Sequence, residues 1–510
     1  MFHPISRRRF VTGTAAAGAM TALGDFAFLG TLPAAAAEDR KNIVPLAADI
    51  DPLVRLIEET SRDKLLEAVA VKVRAGTSYQ QLLGAVMLAG VRGIKPRPVG
   101  FQFHAVLVIN SAHLASLAAA DQDRWLPLFW AIDNFKASQA TNTKQNAGWM
   151  MPALDEAKVP SADMARKRFT EAMDNWDTVA ADVAVAALAR TAGAAEVFEL
   201  FSRYGCRDFR DIGHKAIFVA NSWRTLQTIG WRHAEPVLRS LAFALLEHEG
   251  DNPAKRDGDP DRPGRENLKR CADIGPLARP GRKRSPEATA DLLAALRTAN
   301  ASDAAAKAAE MLKGPIDPAS VWDAVFLGGG ELLMRQPGIV ALHAQTSANA
   351  LHYAYETSSN DETRKMAMLQ AVSFIPLFRQ AMINRGGKLA DLRIDGLEKT
   401  EPKKDVKDAV EDVFAEVSKD RKGAAQKALA LLEADPTRAE PLMAAARRLI
   451  FAKGRDSHDY KYSSAILEDY YHVAPQYRPS FLAAGMFQLR GAGGPDNELI
   501  QRTRNALAKG

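Results

Sequence analysis

Apolar residues along this chain recur mostly at intervals of three and four positions, the spacing that places them on one face of an α-helix. Residues 53–74 show this pattern, with Leu65, Val69 and Val73 on a single stripe. The run 105–109 is rich enough in β-branched residues to suggest a strand, but the spacing around it favours a buried helix. The pattern therefore predicts an all-α protein.

The predicted helices fall into a unit that recurs four times. Its period of about 110 to 130 residues is too long for a two-helix solenoid repeat. Each unit is therefore expected to be a small helical bundle, and the four bundles to pack as a superhelical or ring-like array. The expected boundaries are 51–140, 160–250, 287–385 and 403–510 for the four units, the last including a C-terminal cap, with 1–37 as an export signal, 38–50 as a linker and 251–286 as a charged loop rich in proline and glycine.

The first unit illustrates the expected order of helices. A long amphipathic helix is followed by a shorter apolar helix, a helix that opens with a histidine, and a closing helix. Ser78 is expected to cap the second of them. The expected spans are residues 53–74, 78–89, 104–117 and 124–137.

The histidines repeat with the units, and they fall into two series. The leading series, near the starts of the third helices, comprises His104, His214, His343 and His458. The second series pairs Asn110 with His113, Asn221 with Arg224 and Asn349 with His352. This repetition predicts that equivalent side chains are delivered to one shared interior.

Helical geometry separates the two series. Residues nine apart on a straight helix differ by about 900° and point to opposite sides, whereas residues three apart share a face. The surrounding positions are apolar, and a polar group buried there must find a partner. Two interpretations remain open. Either the polar groups converge to ligate a metal or bind a polar substrate, or each pair joins helix to helix within its own unit.

Residue chemistry suggests candidate roles. The second unit is the most polar, and imidazole is a common metal ligand as well as a general acid or base. The candidate catalytic residues are His214, Arg224 and His233; the candidate metal ligands are His104, His113, His343 and His352; the candidate substrate-binding residues are Asn110, Asn221, Asn349, His458 and Tyr462. A metal ion is the cofactor these residues suggest, without indicating which metal.

Several familiar motifs are excluded. Asp257 begins a stretch that imitates a calcium loop, but Arg262 stands where an EF-hand needs glycine and Leu268 where it needs glutamate. The sequence contains no HExxH, GxSxG or P-loop motif. Its two cysteines, Cys206 and Cys271, form no CxxC, and whether they pair stays open.

The N-terminus resembles a twin-arginine export signal. Residues 6–10 read Ser-Arg-Arg-Arg-Phe and precede a weakly apolar stretch and an alanine-rich region near Ala37. The resemblance implies a periplasmic or secreted protein that uses the twin-arginine machinery. Cleavage there removes three arginines and one aspartate, so the net charge of +6 falls to about +4. We expect a small-molecule ligand as partner, no nucleic acid and no stable membrane insertion.

Four stretches carry a wider resemblance: residues 213–224, 232–241, 342–355 and 458–471. They resemble an uncharacterised family of alanine-rich, Tat-exported bacterial helical-repeat proteins, which implies no particular activity. Residues 214–224 are also similar to the questin oxidase-like family, which implies an oxidoreductase. The expected function is an exported protein with a histidine-lined pocket that acts as a metal-assisted oxidoreductase. The alternative is a non-catalytic binding or scaffold protein with structural His/Asn pairs, so whether the chain is an enzyme stays open.

Overall fold

Polar side chains at the helix starts explain where many of the helices begin. A computed structural model describes residues 42–400 and 406–508. Ser78 accepts a hydrogen bond from the Gln81 backbone N–H, and the Gln81 side chain accepts one from the Ser78 N–H. This reciprocal capping box satisfies two backbone donors that a helix leaves free, and it confirms the predicted cap. The side chains of Asp177 and Asn360 cap later helices by accepting hydrogen bonds from backbone N–H groups of the first turn.

The described part of the chain is all-α, as predicted, and contains no strand. An isolated backbone bridge joins Lys283 and Ile316. The helices are α1 (Asp51–Glu59), α2 (Arg62–Arg74), α3 (Tyr79–Gly93), α4 (His104–Leu107), α5 (Ile109–Leu117), α6 (Leu126–Gln145), α7 (Ala162–Asp174), α8 (Thr178–Thr191), α9 (Ala194–Gly205), α10 (His214–Ile229), α11 (Ala234–Leu245), α12 (Arg262–Asp273), α13 (Pro286–Thr298), α14 (Ala301–Lys313), α15 (Pro318–Arg335), α16 (Ile339–Thr357), α17 (Asp361–Asn384), α18 (Val406–Val417), α19 (Arg421–Ala434), α20 (Ala439–Lys453), α21 (Ser457–Asp469), α22 (Arg478–Ala484) and α23 (Glu498–Ala508). Short 3₁₀ helices include Phe101–Phe103 and Asp211–Gly213, which lead directly into α4 and α10.

Two expected helices are each divided in the structure. The helix expected over residues 53–74 is α1 and α2, because Thr60 and Ser61 both adopt extended backbone angles. The helix expected over 104–117 is α4 and α5, which meet at Val108. The Val108 N–H still donates to the His104 carbonyl at 3.0 Å, so this second break is slight.

The charged loop expected over 251–286 contains a helix, α12. Four of its residues are buried, namely Pro263, Gly264, Asn267 and Cys271. None of them is a large aliphatic residue, so the sequence has no apolar stripe there from which a helix could be predicted. Helix α7 lies within the range expected for the second unit.

The apolar interior forms three clusters, and the helices that carry the leading histidines contribute to all of them. Helix α10 places Ile217 in the cluster built mainly from α13–α22 and Phe218 in the cluster built mainly from α1–α11. A small third cluster contains Val108 and Tyr460. Helix α10 therefore lies where the two large apolar clusters adjoin. Residues from Val44 onward form one contact unit, and the fourfold repetition stays a prediction.

Helix α17 is the one helix of the described chain that is long and apolar enough to cross a membrane. The most apolar window of this helix is 72% buried inside the protein. It packs against α14 and α16 and contributes Phe374 and Phe378 to the core.

A close approach of backbone to side chain fixes the entry to α10. Gly213 has φ +80°, and a Cβ atom built there would lie 2.6 Å from Cβ of Ser347 on α16. Any other residue would carry both a left-handed backbone and a steric clash. Gly213 therefore sets how closely the start of α10 lies against α16.

Comparing alanine substitutions at Gly213 and at Gly281 should separate the cost of backbone strain from the cost of the steric clash. Gly281 has a nearly equal φ of +83°, but no atom lies within 4 Å of the Cβ position. We expect G281A to lower the free energy of unfolding by about 1–2 kcal/mol through backbone strain alone. G213A should lower it by a further ~1–3 kcal/mol through overpacking. Denaturant unfolding measures both, and equal losses in the two variants would contradict the close approach.

Candidate metal centre

The four leading histidines meet in one place, which we call the histidine cluster: His104, His214, His343 and His458. Nε2 of His214 lies 2.9 Å from Nε2 of His104 and 2.9 Å from Nε2 of His343. The His458 ring centroid is 4.5 Å from that of His104 and 5.2 Å from that of His343. Each ring comes from a different predicted unit, so residues more than a hundred positions apart along the chain form this cluster.

The cluster has a buried side and a more accessible side. His214 and His343 are buried, whereas His104 and His458 keep some exposure, 20% for the His458 side chain. Donor nitrogens of His104, His343 and His458 all lie within 4.8 Å of one another. Three imidazoles at this separation could hold a metal ion, with His214 beside them on the buried side.

Backbone carbonyl groups fix the outer nitrogen of three of the rings. Nδ1 of His104 lies 2.8 Å from the Phe101 carbonyl oxygen, and Nδ1 of His343 lies 2.6 Å from that of Ile339. Nδ1 of His214 bonds the Asp211 carbonyl in the same way. A carbonyl oxygen can only accept, so each Nδ1 carries the hydrogen and each neutral ring presents an unprotonated Nε2.

The inner nitrogens therefore face one another without a hydrogen between them. Two unprotonated Nε2 atoms at 2.9 Å repel each other unless a proton or a cation lies between them. Burial holds the pKa values of His104, His214 and His343 well below the ordinary value, and the charge of Lys461 lowers them further. Since an extra proton is disfavoured, a metal cation is the partner that this donor set fits.

His458 completes the cluster with a carboxylate partner. Its Nδ1 lies 3.3 Å from Oδ1 of Asp456, whose carboxylate also accepts the His458 backbone N–H at 2.7 Å. Hydrogen bonding to His458 lowers the pKa of Asp456 to about 2. Nε2 of His458 is buried and has no hydrogen-bond partner among the described residues. Carboxylates commonly orient metal-binding histidines in this way.

Left-handed backbone positions precede three of the four histidines. Gly100 and Gly338 both have φ +152°, and Asp211, Ile212 and Gly213 have φ +50°, +46° and +80°. A β-branched residue such as Ile212 adopts this conformation only under strain of roughly 1–3 kcal/mol. The turn brings the Asp211 carbonyl beneath the His214 ring. A Cβ atom at Gly100 would lie 3.4 Å from Cε1 of His214, so this backbone also borders the cluster.

The second series joins the histidine-bearing helices to one another. Asn221 on α10 donates to the Leu107 carbonyl at 2.8 Å, at the end of α4. Asn349 on α16 donates to Glu468 and Asp469 on α21 at 2.8 and 2.7 Å. Arg224 on α10 donates to Glu468 at 2.7 Å and to the Asn349 side-chain oxygen at 3.2 Å. These contacts fix the relative positions of α4, α10, α16 and α21.

The remaining predicted histidines lie outside the cluster. Nδ1 of His113 is 3.2 Å from the Tyr79 hydroxyl. His352, nine residues after His343 on α16, packs its ring 4.7 Å from Trp322, on a different side of the helix as its spacing predicts. His233 accepts from the neighbouring Arg232 at 3.1 Å.

Two predicted substrate-binding residues have unsatisfied groups. Nδ2 of Asn110 and the Tyr462 hydroxyl are buried and make no hydrogen bond within the described residues.

The two cysteines, whose pairing the sequence left open, are both free and buried. Burial raises the thiol pKa of Cys206 and of Cys271 to about 12, so neither is poised as a thiolate.

Comparison of the chain with protein-family models, with curated proteins and with solved structures finds no match. The roles of the cluster residues are therefore argued from their own geometry and chemistry.

Lys461 follows a cluster histidine on α21, and the sequence analysis assigned it no role. It follows His458 by three positions on α21 and is 2% exposed. The one available signal was this spacing, because residues three apart share a helix face.

The lowered histidine pKa values predict how stability depends on pH. Above about pH 6.5 these histidines are neutral whether folded or unfolded; below it only the unfolded chain takes up the protons, so the metal-free protein loses stability as pH falls. Each such histidine contributes up to ~1.4 kcal/mol per pH unit. Asp211 acts in the opposite sense. Burial raises its pKa to about 7, so below pH 7 the folded protein keeps a proton on this carboxyl that the unfolded chain has lost, and stability rises as pH falls through this range.

Replacing His343 with leucine isolates the contribution of one histidine to this pH dependence. Between about pH 5 and pH 6.5, the slope of unfolding free energy against pH should be smaller in His343→Leu than in the wild type by up to ~1.4 kcal/mol per pH unit. Denaturant titrations of the metal-free proteins at several pH values measure the slopes. Identical slopes would mean that His343 protonates as readily in the folded protein as in the unfolded chain.

Proposed function

We propose that this protein binds a transition-metal ion in the histidine cluster. The observation that carries the proposal is the approach of His214 Nε2 to Nε2 of His104 and of His343, in three rings whose Nδ1 atoms all bond backbone carbonyl oxygens. This arrangement disfavours both protonation and direct hydrogen bonding between the rings. A cation bound by the lone pairs resolves the repulsion.

The donor set restricts the metal. Neutral imidazole nitrogens suit zinc, copper, iron and nickel, whereas magnesium and calcium prefer oxygen ligands. Three protein ligands with an open position are typical of catalytic sites, and four closed ligands of structural zinc sites. His104, His343 and His458 supply three such ligands, and the partial exposure of His104 and His458 favours an open position on the accessible side. His214 then lies on the buried side as the neighbour whose lone pair the cation also faces.

We further propose that the bound metal supports an oxidoreductase reaction after export. Copper and iron are redox-active and bind imidazole well. The likeness of residues 214–224 to the questin oxidase-like family adds to this proposal. The twin-arginine-like signal lies outside the described residues, and its resemblance to an export signal supports the proposal that the mature protein acts in the periplasm or outside the cell. Conservative replacement of Arg7 and Arg8 by lysine should block export, and secretion of that variant at wild-type levels would contradict the signal assignment.

The alternative function is a non-catalytic, exported binding or scaffold protein. It is favoured by the second-series contacts, in which Asn221, Arg224 and Asn349 join helices rather than a pocket. In that case any metal would serve stability alone.

Metal titration tests the binding proposal. Protein stripped with a chelator should take up one zinc or copper ion per chain, and its unfolding temperature should rise because the ion binds the folded state. His343→Ala should weaken metal affinity by at least about 100-fold, since it removes a direct donor rather than an outer partner. Calorimetry and elemental analysis of the loaded protein measure both.

The matched control is His352→Ala, which removes another buried histidine from the same helix. It should lower stability and leave metal affinity within about 2-fold, since His352 packs on Trp322 and His472 instead. Equal loss of metal affinity in the two variants would contradict the site.

Redox titration distinguishes the two proposed functions. A copper- or iron-loaded protein that cycles reversibly between two oxidation states supports the oxidoreductase proposal, and a redox-inert protein supports the scaffold proposal.

A further inference from the structure

Lys461 carries a buried amine that nothing in the described structure satisfies. The residue is 2% exposed, and its Nζ makes no hydrogen bond within the described residues. Most buried polar groups have a partner, and a buried ammonium without one is costly. Lys215, the other buried lysine near the cluster, differs sharply: its Nζ bonds Asp208 at 3.0 Å and the Glu247 carbonyl at 2.9 Å.

The position of Lys461 directs this amine to the histidine cluster. It lies one helical turn after His458 on α21, and therefore on the same face. Its charge is also among the causes that lower the pKa values of His104, His214 and His343. The amine is thus a polar group at the edge of the site whose own hydrogen-bonding capacity is unused.

The charges around the cluster do not balance once a metal is bound. Neutral imidazoles contribute no negative charge, so a divalent ion leaves a charge of about +2 beside Lys461, whose own pKa burial lowers to about 7. The carboxylate of Asp456 is already engaged by His458. The carboxylate of Asp208 is paired with Lys215 and Arg210. A buried excess of positive charge in a region of low dielectric favours the entry of an anion.

We propose that Lys461 and the bound metal together form the binding site of a small anion with a carboxylate-like group. One atom of the anion would coordinate the metal at its open position, and another would accept a hydrogen bond from Nζ. The substrate class is thus a small carboxylate rather than a neutral or cationic molecule. This inference rests on the proposed metal site.

The test uses the full-length protein loaded with copper(II) and azide as the probe anion. Azide bound to copper gives a charge-transfer absorption band, so its affinity can be titrated optically, and acetate should displace it. Lys461→Met should weaken azide binding by at least about 10-fold, as expected for loss of one charged hydrogen bond, while copper affinity stays unchanged or rises. Lys461→Gln, which is smaller and polar, provides a second variant if the first folds poorly.

The matched control is Lys215→Met, which removes the buried lysine next to His214 whose amine is already satisfied by Asp208 and the Glu247 carbonyl. Azide affinity there should stay within about 2-fold of wild type. Wild-type azide affinity in both Lys461 variants would overturn the inference while leaving the metal site intact. Loss of copper from them would show that Lys461 is itself a ligand, which also overturns it. A wild-type protein that binds no copper would contradict the metal site itself, and this inference with it.

Discussion

The structure around the site depends on one repeated interaction, a hydrogen bond from the outer nitrogen of each imidazole to a fixed oxygen. For His104, His214 and His343 the oxygen is a backbone carbonyl in the turn or helix just before the ring. The bond determines which nitrogen carries hydrogen and in which direction the other one points. Everything chemical about the cluster follows from that orientation, because it leaves unprotonated nitrogens facing a common centre.

The remaining features serve to hold these rings in position. Left-handed turns before α4 and α10 bring carbonyl groups beneath the rings, and Gly213 allows α10 to lie against α16. Amide and guanidinium groups of the second series then tie the same helices together. The two polar series thus have different tasks. The leading series forms the site, and the second series fixes the helices that carry it.

Part of this organisation could be predicted from sequence. The three-and-four spacing of apolar residues predicted the all-α fold, and repeated spacing from His104 and His343 predicted a shared interior site. Helix α12 could not be predicted, because its buried face consists of Pro263, Gly264, Asn267 and Cys271. Helical periodicity also could not decide which series forms the site, since both lie on apolar helices. That distinction depends on long-range packing and on carbonyl positions, which periodicity does not encode. Lys461 gave only a weak signal for the same reason.

X-ray absorption spectroscopy of the metal-loaded protein tests the central claim most directly. We predict a coordination shell of nitrogen or oxygen donors at about 2.0–2.1 Å for zinc, with outer-shell scattering from at least three imidazole rings. That pattern should be reduced in His343→Ala and unchanged in His352→Ala. A shell of oxygen donors without imidazole scattering would contradict the proposal that the histidine cluster is a metal centre.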